Sequence, residues 1–439
     1  MKQLKNYLSL FLFALLLSLS GTIKAEETQS ELYKKIAAIE GVSDIQSLPT
    51  GEFKERYQFF IEQQVDPKQP EIGTFKQRVF VSHVGFDRPT LLVTEGYGAE
   101  YAKNPKFREE LSRYFDMNMI VVEYRYFLES IPDPLNWDYL TVENSLNDLH
   151  HIRTAFESIY PGKWVSTGTS KGGQTTMFYR VFYPDDIDIS VPYVAPLNRS
   201  VEDGRHEIFL RDQVGTPKER ATVLAFQTEV MKRKGELMPL FKEHCAKNQY
   251  KYHCPVEEIF DYCVLEYPFA LWQYGTPINS IPSTDADNQT LFSHLIGIAD
   301  PMYFSYITPY SAFDVQAARE LGYYGYDIEP FKPYLTIKTA KDYLRRLMVP
   351  EGQENIKFQK ALYEKTRKFL LKNDLKMIFI YGSNDPWTAS GATDKAYFEG
   401  KKNMKCFIEP GGCHKAKIGT MPEETRQEIL TLIGNWLEE

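Results

Sequence analysis

Three residues of different chemistry, Ser170, Asp385 and His414, each stand at or just after an apolar run typical of a buried strand. A serine hydroxyl is a weak nucleophile at its ordinary pKa, so a neighbouring base must take its proton. A histidine can act as that base, and an aspartate can fix the imidazole tautomer and stabilise its charged form. The three residue types predict nucleophilic catalysis, with Ser170 as nucleophile, His414 as base and Asp385 as the partner of His414.

The order of these residues along the chain supports the same chemistry. Serine, then aspartate, then histidine is the order found in α/β-hydrolases. Because the carboxyl ends of parallel strands meet at one edge of a sheet, the three side chains are expected to converge there. Asp374 and Asp394 compete with Asp385, which we prefer because it follows its apolar run directly.

The segment GTSKG, residues 168–172, lies between a strand-like run and a helix-like segment. Gly168 and Gly172 are expected to permit a tight turn that presents Ser170 at its apex. The amide of Lys171, at the start of the helix, is predicted as one oxyanion donor, so Lys171 would act through its backbone more than its charge. The second donor is expected from the loop EGYG, residues 95–98, and is assigned to the Tyr97 amide.

The elements that must position these residues follow from hydrophobic periodicity. Two alternating segments, 52–66 and 73–85, predict a pair of antiparallel strands, and buried strands are expected within 90–98, 117–127, 163–170, 187–196, 376–385 and 404–414. A helix is predicted from Val142, with Thr141 as its N-cap, and the segments 218–245 and 337–348 read as helical. Strands and helices that alternate in this way predict an open, mostly parallel sheet.

Between about 199 and 370 the pattern changes to helices joined by aromatic and proline-rich connectors. The fold class predicted is therefore α/β, an α/β-hydrolase fold with a large, mainly helical cap inserted before the last two strands. The expected division is a hydrolase domain in two parts, 26–198 and 371–439, with the cap at 199–370. A helical lid would exclude water and favour small substrates or free chain ends.

The first 25 residues predict a signal peptide, with a basic start, the apolar run YLSLFLFALLLSLSG and a cleavage site after Ala25. Export to the periplasm or the cell exterior follows, with no membrane anchor beyond the cleaved leader. Of the 439 residues, the remainder carries 48 basic and 59 acidic side chains, which argues against nucleic acid as a partner. The oligomeric state is left open.

The five cysteines leave several interpretations open. Cys245, Cys254 and Cys263 are nine residues apart, with His244 and His253 beside two of them. This spacing differs from the short gap of structural zinc sites, so no metal is predicted. One local disulfide is compatible with export, and an odd count leaves at least one free thiol.

Glu123 and Arg125 end a predicted strand beside the catalytic edge. Glu123 is a candidate for substrate binding, and a buried ion pair that shapes the site is the alternative for this pair.

Several segments together resemble one family of enzymes. They are TFKQRVFVSHVGFDRPTLLVTEGYG, VVEYRYF, YLTVENSLNDLHHIRTAF, GTSKGGQTTMFY and ARELGYYGYD, in this order. With them the chain, from about 45 to 437, resembles the secreted tripeptidyl aminopeptidases of bacteria, serine peptidase family thirty-seven. Lysosomal Pro-X carboxypeptidase and dipeptidyl peptidase II are more distant relatives with a similar layout.

The resemblance implies an α/β-hydrolase domain with a helical cap, no cofactor, and release of tripeptides from the free N-termini of peptides, with proline favoured before the cut in several members. It also implies Ser170, Asp385 and His414 as the triad. Such an enzyme must hold the ammonium end of its peptide substrate, and Glu320 is the carboxylate we consider for that role. A dipeptidyl peptidase, an esterase or lipase on the same scaffold, and a non-catalytic binding protein are the alternatives.

Overall fold

The computed structural model describes residues 29–439, so the predicted signal peptide lies outside the described residues. Its nine strands are β1 (Val42–Ser47), β2 (Glu55–Gln64), β3 (Thr74–His83), β4 (Thr90–Val93), β5 (Asn118–Val122), β6 (Trp164–Thr169), β7 (Ile189–Tyr193), β8 (Met377–Gly382) and β9 (Met404–Glu409). They form one sheet in the order β1-β2-β3-β5-β4-β6-β7-β8-β9. The first three strands and the β3–β5 pair are antiparallel, and every later pair is parallel.

Twelve α-helices accompany the sheet in the described part of the chain. They are α1 (Glu31–Ala37), α2 (Glu110–Phe115), α3 (Val142–Phe156), α4 (Lys171–Phe182), α5 (Arg205–Ile208), α6 (Pro217–Lys232), α7 (Lys234–Lys247), α8 (Val256–Tyr274), α9 (Asn288–Ile298), α10 (Ser311–Gln316), α11 (Ala361–Lys372) and α12 (Glu423–Glu438).

Helices cover both faces of the sheet, because the strand side chains alternate between two apolar clusters. Leu92, Ile120 and Phe379 face a cluster that α1, α3, α4 and α11 complete. Their neighbours Leu91 and Ile378 face the opposite cluster, to which α2 and α12 contribute. Strands buried on both faces are what a parallel sheet requires, and their uninterrupted apolar runs reflect this.

The helical segment before the last two strands has its own apolar core. In the described chain no strand lies between β7 and β8, and helices α5 to α10 fill this interval. Phe226, Phe241, Phe260, Leu271 and Leu295 are buried together in a cluster distinct from those on the sheet. Helix α11 spans the predicted boundary at residue 370 and packs instead on the sheet. The predicted fold class, including a helical insertion before β8 and β9, is confirmed.

Three local predictions differ from the structure. Strand β1 was not predicted, because its sequence VSDIQS is polar and only partly buried at the sheet edge. The helix expected over 218–245 is two helices that meet at Arg233. The segment 337–348 forms turns and a short π-helical stretch at Leu344–Met348 rather than an α-helix. Thr141 does cap α3, since its side chain accepts a hydrogen bond from the Asn144 amide.

In residues 29–439 no helix combines the length and apolar character needed to cross a membrane.

Candidate active site

Ser170 occupies the turn between β6 and α4. Its backbone has φ 59° and ψ −119°, a left-handed conformation that is strained for a residue with a Cβ. Its amide donates to the carbonyl of Tyr193 at 3.0 Å, which ties the turn to the neighbouring strand β7. The turn therefore holds the serine at an apex, partly exposed, above the carboxyl edge of the sheet.

The glycines around Ser170 let the helix approach the sheet closely. A Cβ on Gly168 would lie 2.4 Å from the backbone of Gly172, and one on Gly173 would lie 2.4 Å from the Tyr193 carbonyl oxygen. A Cβ on Gly172 would meet nothing closer than 3.4 Å, an ordinary contact. The tightest positions are thus Gly168 and Gly173, whereas a Cβ on Gly172 would lie at ordinary contact distance from the backbone of Glu95 and Gly96.

Asp385 and His414 lie on the loops that follow β8 and β9. His414 Nδ1 donates to Asp385 Oδ2 at 2.7 Å, and Asp385 is fully buried. The two loops are bound together by the Asn384 amide, which donates to the Gly412 carbonyl at 2.8 Å. Gly382 allows this approach, because a Cβ there would lie 2.5 Å from the backbone of Gly412.

The remaining nitrogen of the histidine is free for chemistry. His414 Nε2 is buried and has no hydrogen-bond partner among residues 29–439. With its proton on Nδ1, facing the carboxylate, the ring presents an unprotonated Nε2, which is the form a general base requires.

A cavity of about 510 Å³ between sheet and cap is lined by four of the predicted residues, although no hydrogen bond joins Ser170 to His414 Nε2 in the described chain. Ser170, His414, Tyr97 and Lys171 all line it. A second, smaller cavity of about 390 Å³ lies inside the cap beside Trp272 and contains none of the predicted site residues. The further lining of the larger cavity is Gln174, Pro196, Asn198, Gln273, Tyr274, Met302, Tyr303, Thr308, Tyr310, Phe313, Asp314, Gly322, Tyr323, Met348 and Trp387.

The segments that carry the two amides expected to form an oxyanion hole pack against each other. A Cβ on Gly96 would lie 2.6 Å from the Lys171 Cβ, so the loop after β4 runs directly against the first turn of α4. Within residues 29–439 neither the Tyr97 nor the Lys171 amide donates a hydrogen bond to a protein acceptor. Both donors therefore remain available to a ligand, and the helix N-terminus adds a favourable dipole for negative charge.

The side chain of Lys171 has contacts that the sequence did not predict, since Lys171 was expected to act through its backbone more than its charge. It is buried, and its ammonium donates to the Gly96 carbonyl at 2.5 Å. Burial lowers the pKa of Lys171 well below its ordinary value, while Glu95 and Glu320 act in the opposite direction.

The two acids predicted to bind substrate lie away from the cavity. Glu320 accepts a hydrogen bond from the Val142 amide at 2.6 Å and so serves the N-terminus of α3. Glu123 is fully buried and forms an ion pair with Arg78 at 2.5 Å, so it takes part in a buried ion pair but not with the expected partner. Its expected partner, Arg125, pairs with Asp148 instead. Neither Glu320 nor Glu123 lines the cavity.

A carboxylate that the sequence did not suggest does line it. Asp314, on α10, is 2% exposed, and its Oδ1 has no hydrogen-bond partner in the described chain. Burial raises the pKa of Asp314 well above its usual value. A sequence signal was available, because this acid is the charged residue in the mainly apolar helical stretch AFDVQAA. Gln174 Nε2 and Trp387 Nε1 are further buried polar atoms on the cavity without a partner among residues 29–439.

The cysteines contribute no disulfide, since all five are free thiols in the structure. The local disulfide considered from the sequence is therefore absent. Cys413, next to His414, packs against Gly275 at the end of α8, where a Cβ would lie 2.9 Å from its sulfur.

The parallel sheet, the serine on a strained turn between strand and helix, and the aspartate–histidine pair after two later strands define a serine hydrolase of the α/β-hydrolase fold. The chain belongs to the PS-10 peptidase S37 family, whose sequence profile matches residues 25–437. It is accordingly a serine-type peptidase, and the family resemblance seen in the sequence is confirmed.

Individual proteins are similar to the chain to different degrees. Prolyl tri/tetrapeptidyl aminopeptidase from Streptomyces mobaraensis is 27% identical over 435 residues, covering 93% of this chain and 85% of that protein. Among solved structures, proline iminopeptidase from Mycobacterium smegmatis is 13% identical with a TM-score of 0.38, covering 90% of this chain and 99% of that one. The peroxisomal alpha-beta-hydrolase Lpx1 from Saccharomyces cerevisiae is 12% identical with a TM-score of 0.39, covering 87% and 89%.

Proposed function

We propose that this peptidase releases short peptides, chiefly tripeptides, from the free N-termini of peptide substrates, with Ser170, Asp385 and His414 as its triad. The observation that carries the proposal is the unpartnered carboxylate of Asp314 on the cavity that also holds Ser170 and His414. A buried carboxylate without a partner is costly, and a substrate ammonium would satisfy it.

The reaction proceeds through an acyl-enzyme. Ser170 Oγ attacks the scissile carbonyl carbon while His414 Nε2 takes the hydroxyl proton, and the resulting oxyanion accepts hydrogen bonds from the Tyr97 and Lys171 amides. His414 then gives its proton to the departing amine as the C–N bond breaks. Water, deprotonated by the same nitrogen, hydrolyses the ester and restores the serine. Asp385 holds the imidazole in the required tautomer throughout.

The cavity suits a peptide end and not the middle of a folded chain. Cap residues enclose it, and about 510 Å³ is the size of a pocket for a small ligand. With the ammonium held at Asp314, the distance from Asp314 to Ser170 fixes how many residues precede the cut. Cleavage would then occur at a fixed number of residues from the N-terminus.

We also propose a preference for proline before the cut, which the name of the Streptomyces relative supports. The cavity wall is rich in aromatic rings, among them Trp387, Tyr323 and Phe313, whose flat apolar faces suit a pyrrolidine ring. Export is proposed as well, on the predicted signal peptide at 1–25, and would place the enzyme in the periplasm or outside the cell.

Digestion of a long, unblocked peptide followed by mass spectrometry of the products tests the proposal. We expect a ladder that shortens by three residues from the N-terminus, no cleavage of the acetylated peptide, and no products with Ser170→Ala. Steps of two residues would indicate a dipeptidyl peptidase, and internal cuts would overturn the exopeptidase assignment. Turnover of short acyl esters without any peptide cleavage would favour an esterase.

A further inference from the structure

The amino group of Lys171 is buried directly beside the proposed nucleophile. The residue is 2% exposed, and its Nζ donates to the carbonyl oxygen of Gly96 at 2.5 Å. Gly96 immediately precedes Tyr97, whose amide is one of the two proposed oxyanion donors. The side chain of Lys171, whose own amide is one oxyanion donor, therefore binds the loop that supplies the other donor, the Tyr97 amide.

Aromatic rings surround this ammonium. Its Nζ lies 3.4 Å from the ring centroid of Tyr124, 5.1 Å from that of Phe127 and 5.4 Å from that of Tyr97. These distances are within the range of cation–π attraction. No carboxylate of residues 29–439 comes within 4.0 Å of Nζ, and the acids that act on it, Glu95 and Glu320, do so from farther away.

Such a placement needs a reason beyond packing. Burying an ammonium without an ion pair is expensive, and an uncharged side chain of similar length would fill an aromatic cage at lower cost. Among residues 29–439 the three N–H donors of Lys171 meet a single hydrogen-bond acceptor, the Gly96 oxygen. A charged amino group can form a strong, directed hydrogen bond to that carbonyl, whereas an uncharged side chain of similar length, such as methionine, cannot.

The bond to Gly96 also sets the direction of the Tyr97 amide. The Gly96 carbonyl and the Tyr97 N–H belong to the same peptide group, and that group is trans. In a trans peptide the oxygen and the hydrogen point to opposite sides of a rigid plane. Holding the oxygen toward Lys171 Nζ therefore turns the N–H away from it. The neighbouring Tyr97–Gly98 peptide group is held as well, because the Tyr97 carbonyl accepts from the Tyr124 amide at 3.1 Å.

We propose that Lys171 is a positioning residue for the oxyanion hole, whose ammonium fixes the Gly96–Tyr97 peptide plane so that the Tyr97 amide faces the reacting carbonyl. The inference rests on the proposed function. One residue then sets both donors, the first through its own amide and the second through its side chain. The bound cation also polarises the peptide group, which makes the Tyr97 N–H a stronger donor.

The variant Lys171→Met tests this directly, since methionine keeps the unbranched shape and removes the charge. We expect kcat on a tripeptide amide to fall about 10- to 100-fold, with KM changed less than about threefold, because the loss falls on the transition state. The rate of labelling by a fluorophosphonate should fall in the same proportion, because its phosphoryl oxygen must enter the hole. The final extent of labelling should stay complete.

These readouts separate the possible failures. A parent enzyme that neither cleaves peptides nor reacts with the probe would overturn the proposed function. A reactive parent whose Lys171→Met variant is labelled at the same rate would overturn the positioning role alone. A variant that is merely damaged would show a reduced labelled fraction at an unchanged rate, which also counts against the inference.

The parent enzyme supplies a second test that needs no variant. Lys171 shares its surroundings with Glu95 on the loop, Glu320 on the cap, and the phenols of Tyr97 and Tyr124. Its lowered pKa means that it loses its proton below pH 10.5, the ordinary value for lysine. We expect the labelling rate to decline toward that pH while the circular dichroism spectrum stays unchanged. A rate that stays level up to pH 10.5 would contradict the inference.

Discussion

His414 Nδ1 lies 2.7 Å from Asp385 Oδ2, and the second oxygen of that carboxylate accepts from the Trp387 amide at 3.1 Å. Both carboxylate oxygens are therefore engaged, and the carboxylate cannot rotate without losing one of these bonds. The imidazole in turn is held with its proton on Nδ1 and with Nε2 free. This is the arrangement that the proposed mechanism requires for His414 to accept a proton from Ser170.

Replacing Asp385 with asparagine should remove its control over the tautomer of His414, while the side chain keeps its size and shape. An amide can offer its NH2 group to Nδ1, which favours the tautomer with the proton on Nε2, the wrong one for a base. We expect kcat to fall about 10⁴-fold with little change in KM. Initial rates on a chromogenic tripeptide amide measure it, with circular dichroism to verify folding.

Asp394→Asn is the matched control for this variant. Asp394 was a competing candidate in the sequence, is exposed, and caps a short helical turn through the Ala396 amide, which asparagine can also do. Its kcat should remain within about threefold of the parent. Equal losses in the two variants would rule out the assigned role of Asp385.

Asp314→Asn should weaken recognition of the substrate N-terminus and leave the chemistry intact. A hydrogen bond to a charged group contributes about 1.5–3 kcal/mol, so KM for unblocked peptides should rise about 10- to 100-fold. Because burial raises the pKa of Asp314, the carboxylate is protonated more readily than usual. In the parent enzyme KM should therefore rise as pH falls, and in the variant this rise should be absent.

Glu320→Gln is the control for Asp314→Asn, since Glu320 was the acid preferred from the sequence. Its carboxylate accepts from the Val142 amide and does not line the cavity. We expect its preference for unblocked over acetylated peptides to stay within about twofold of the parent. If this variant loses the preference and Asp314→Asn keeps it, the two roles are reversed.

The sequence predicted the fold and its catalytic edge well because the signals there are local. Each buried strand is an uninterrupted apolar run, and the serine, aspartate and histidine follow such runs directly. The family resemblance strengthened the same assignment. Strand β1 was missed for a corresponding reason, since an edge strand that buries little has no apolar pattern to detect.

The substrate-binding acid was harder to predict because it depends on how the cap lies over the sheet. Asp314 and Glu320 are six residues apart on adjoining helical turns, and periodicity does not tell which of them faces the cavity. Burial without a partner singles out Asp314, and that is a property of the packed structure. The role of the Lys171 side chain was missed likewise, because its contacts come from the loop after β4 and from Tyr124 and Phe127.

The glycines near Ser170 differ in how closely other atoms approach them, and alanine substitutions should reveal the difference between Gly173 and Gly172. Gly173→Ala places a methyl group 2.4 Å from the Tyr193 oxygen, so the helix must shift away from β7. We expect a loss of about 1–3 kcal/mol in the free energy of unfolding and a marked loss of activity, because the same shift moves Ser170. Gly172→Ala, with its contacts at 3.4 Å or more, should stay close to the parent in both measurements. Urea denaturation and kcat/KM provide the comparison, and equal damage in both variants would contradict it.

Glu266 offers a pH-dependent prediction away from the catalytic residues. It is 4% exposed in the cap, and its carboxylate accepts from Tyr324 at 2.9 Å and Tyr326 at 2.7 Å. Burial raises the pKa of Glu266 from its ordinary 4.5 to about 8. Between these two values the folded protein keeps a proton that the unfolded chain has lost. The resulting stabilisation is complete at low pH and declines as pH rises toward 8.

Glu266→Gln should remove this contribution, because glutamine imitates the protonated acid at every pH and can still accept from both tyrosines. Between pH 5 and pH 8 the parent should lose roughly 3–4 kcal/mol more of its free energy of unfolding than the variant does. Glu95 and Glu320, whose pKa values burial raises to about 7, steepen the decline in both proteins, so the difference between them isolates Glu266. Urea unfolding at the two pH values measures the effect, with the exposed Glu71→Gln as the matched control. Parallel pH profiles for parent and Glu266→Gln would show that this carboxylate is not held protonated in the folded cap.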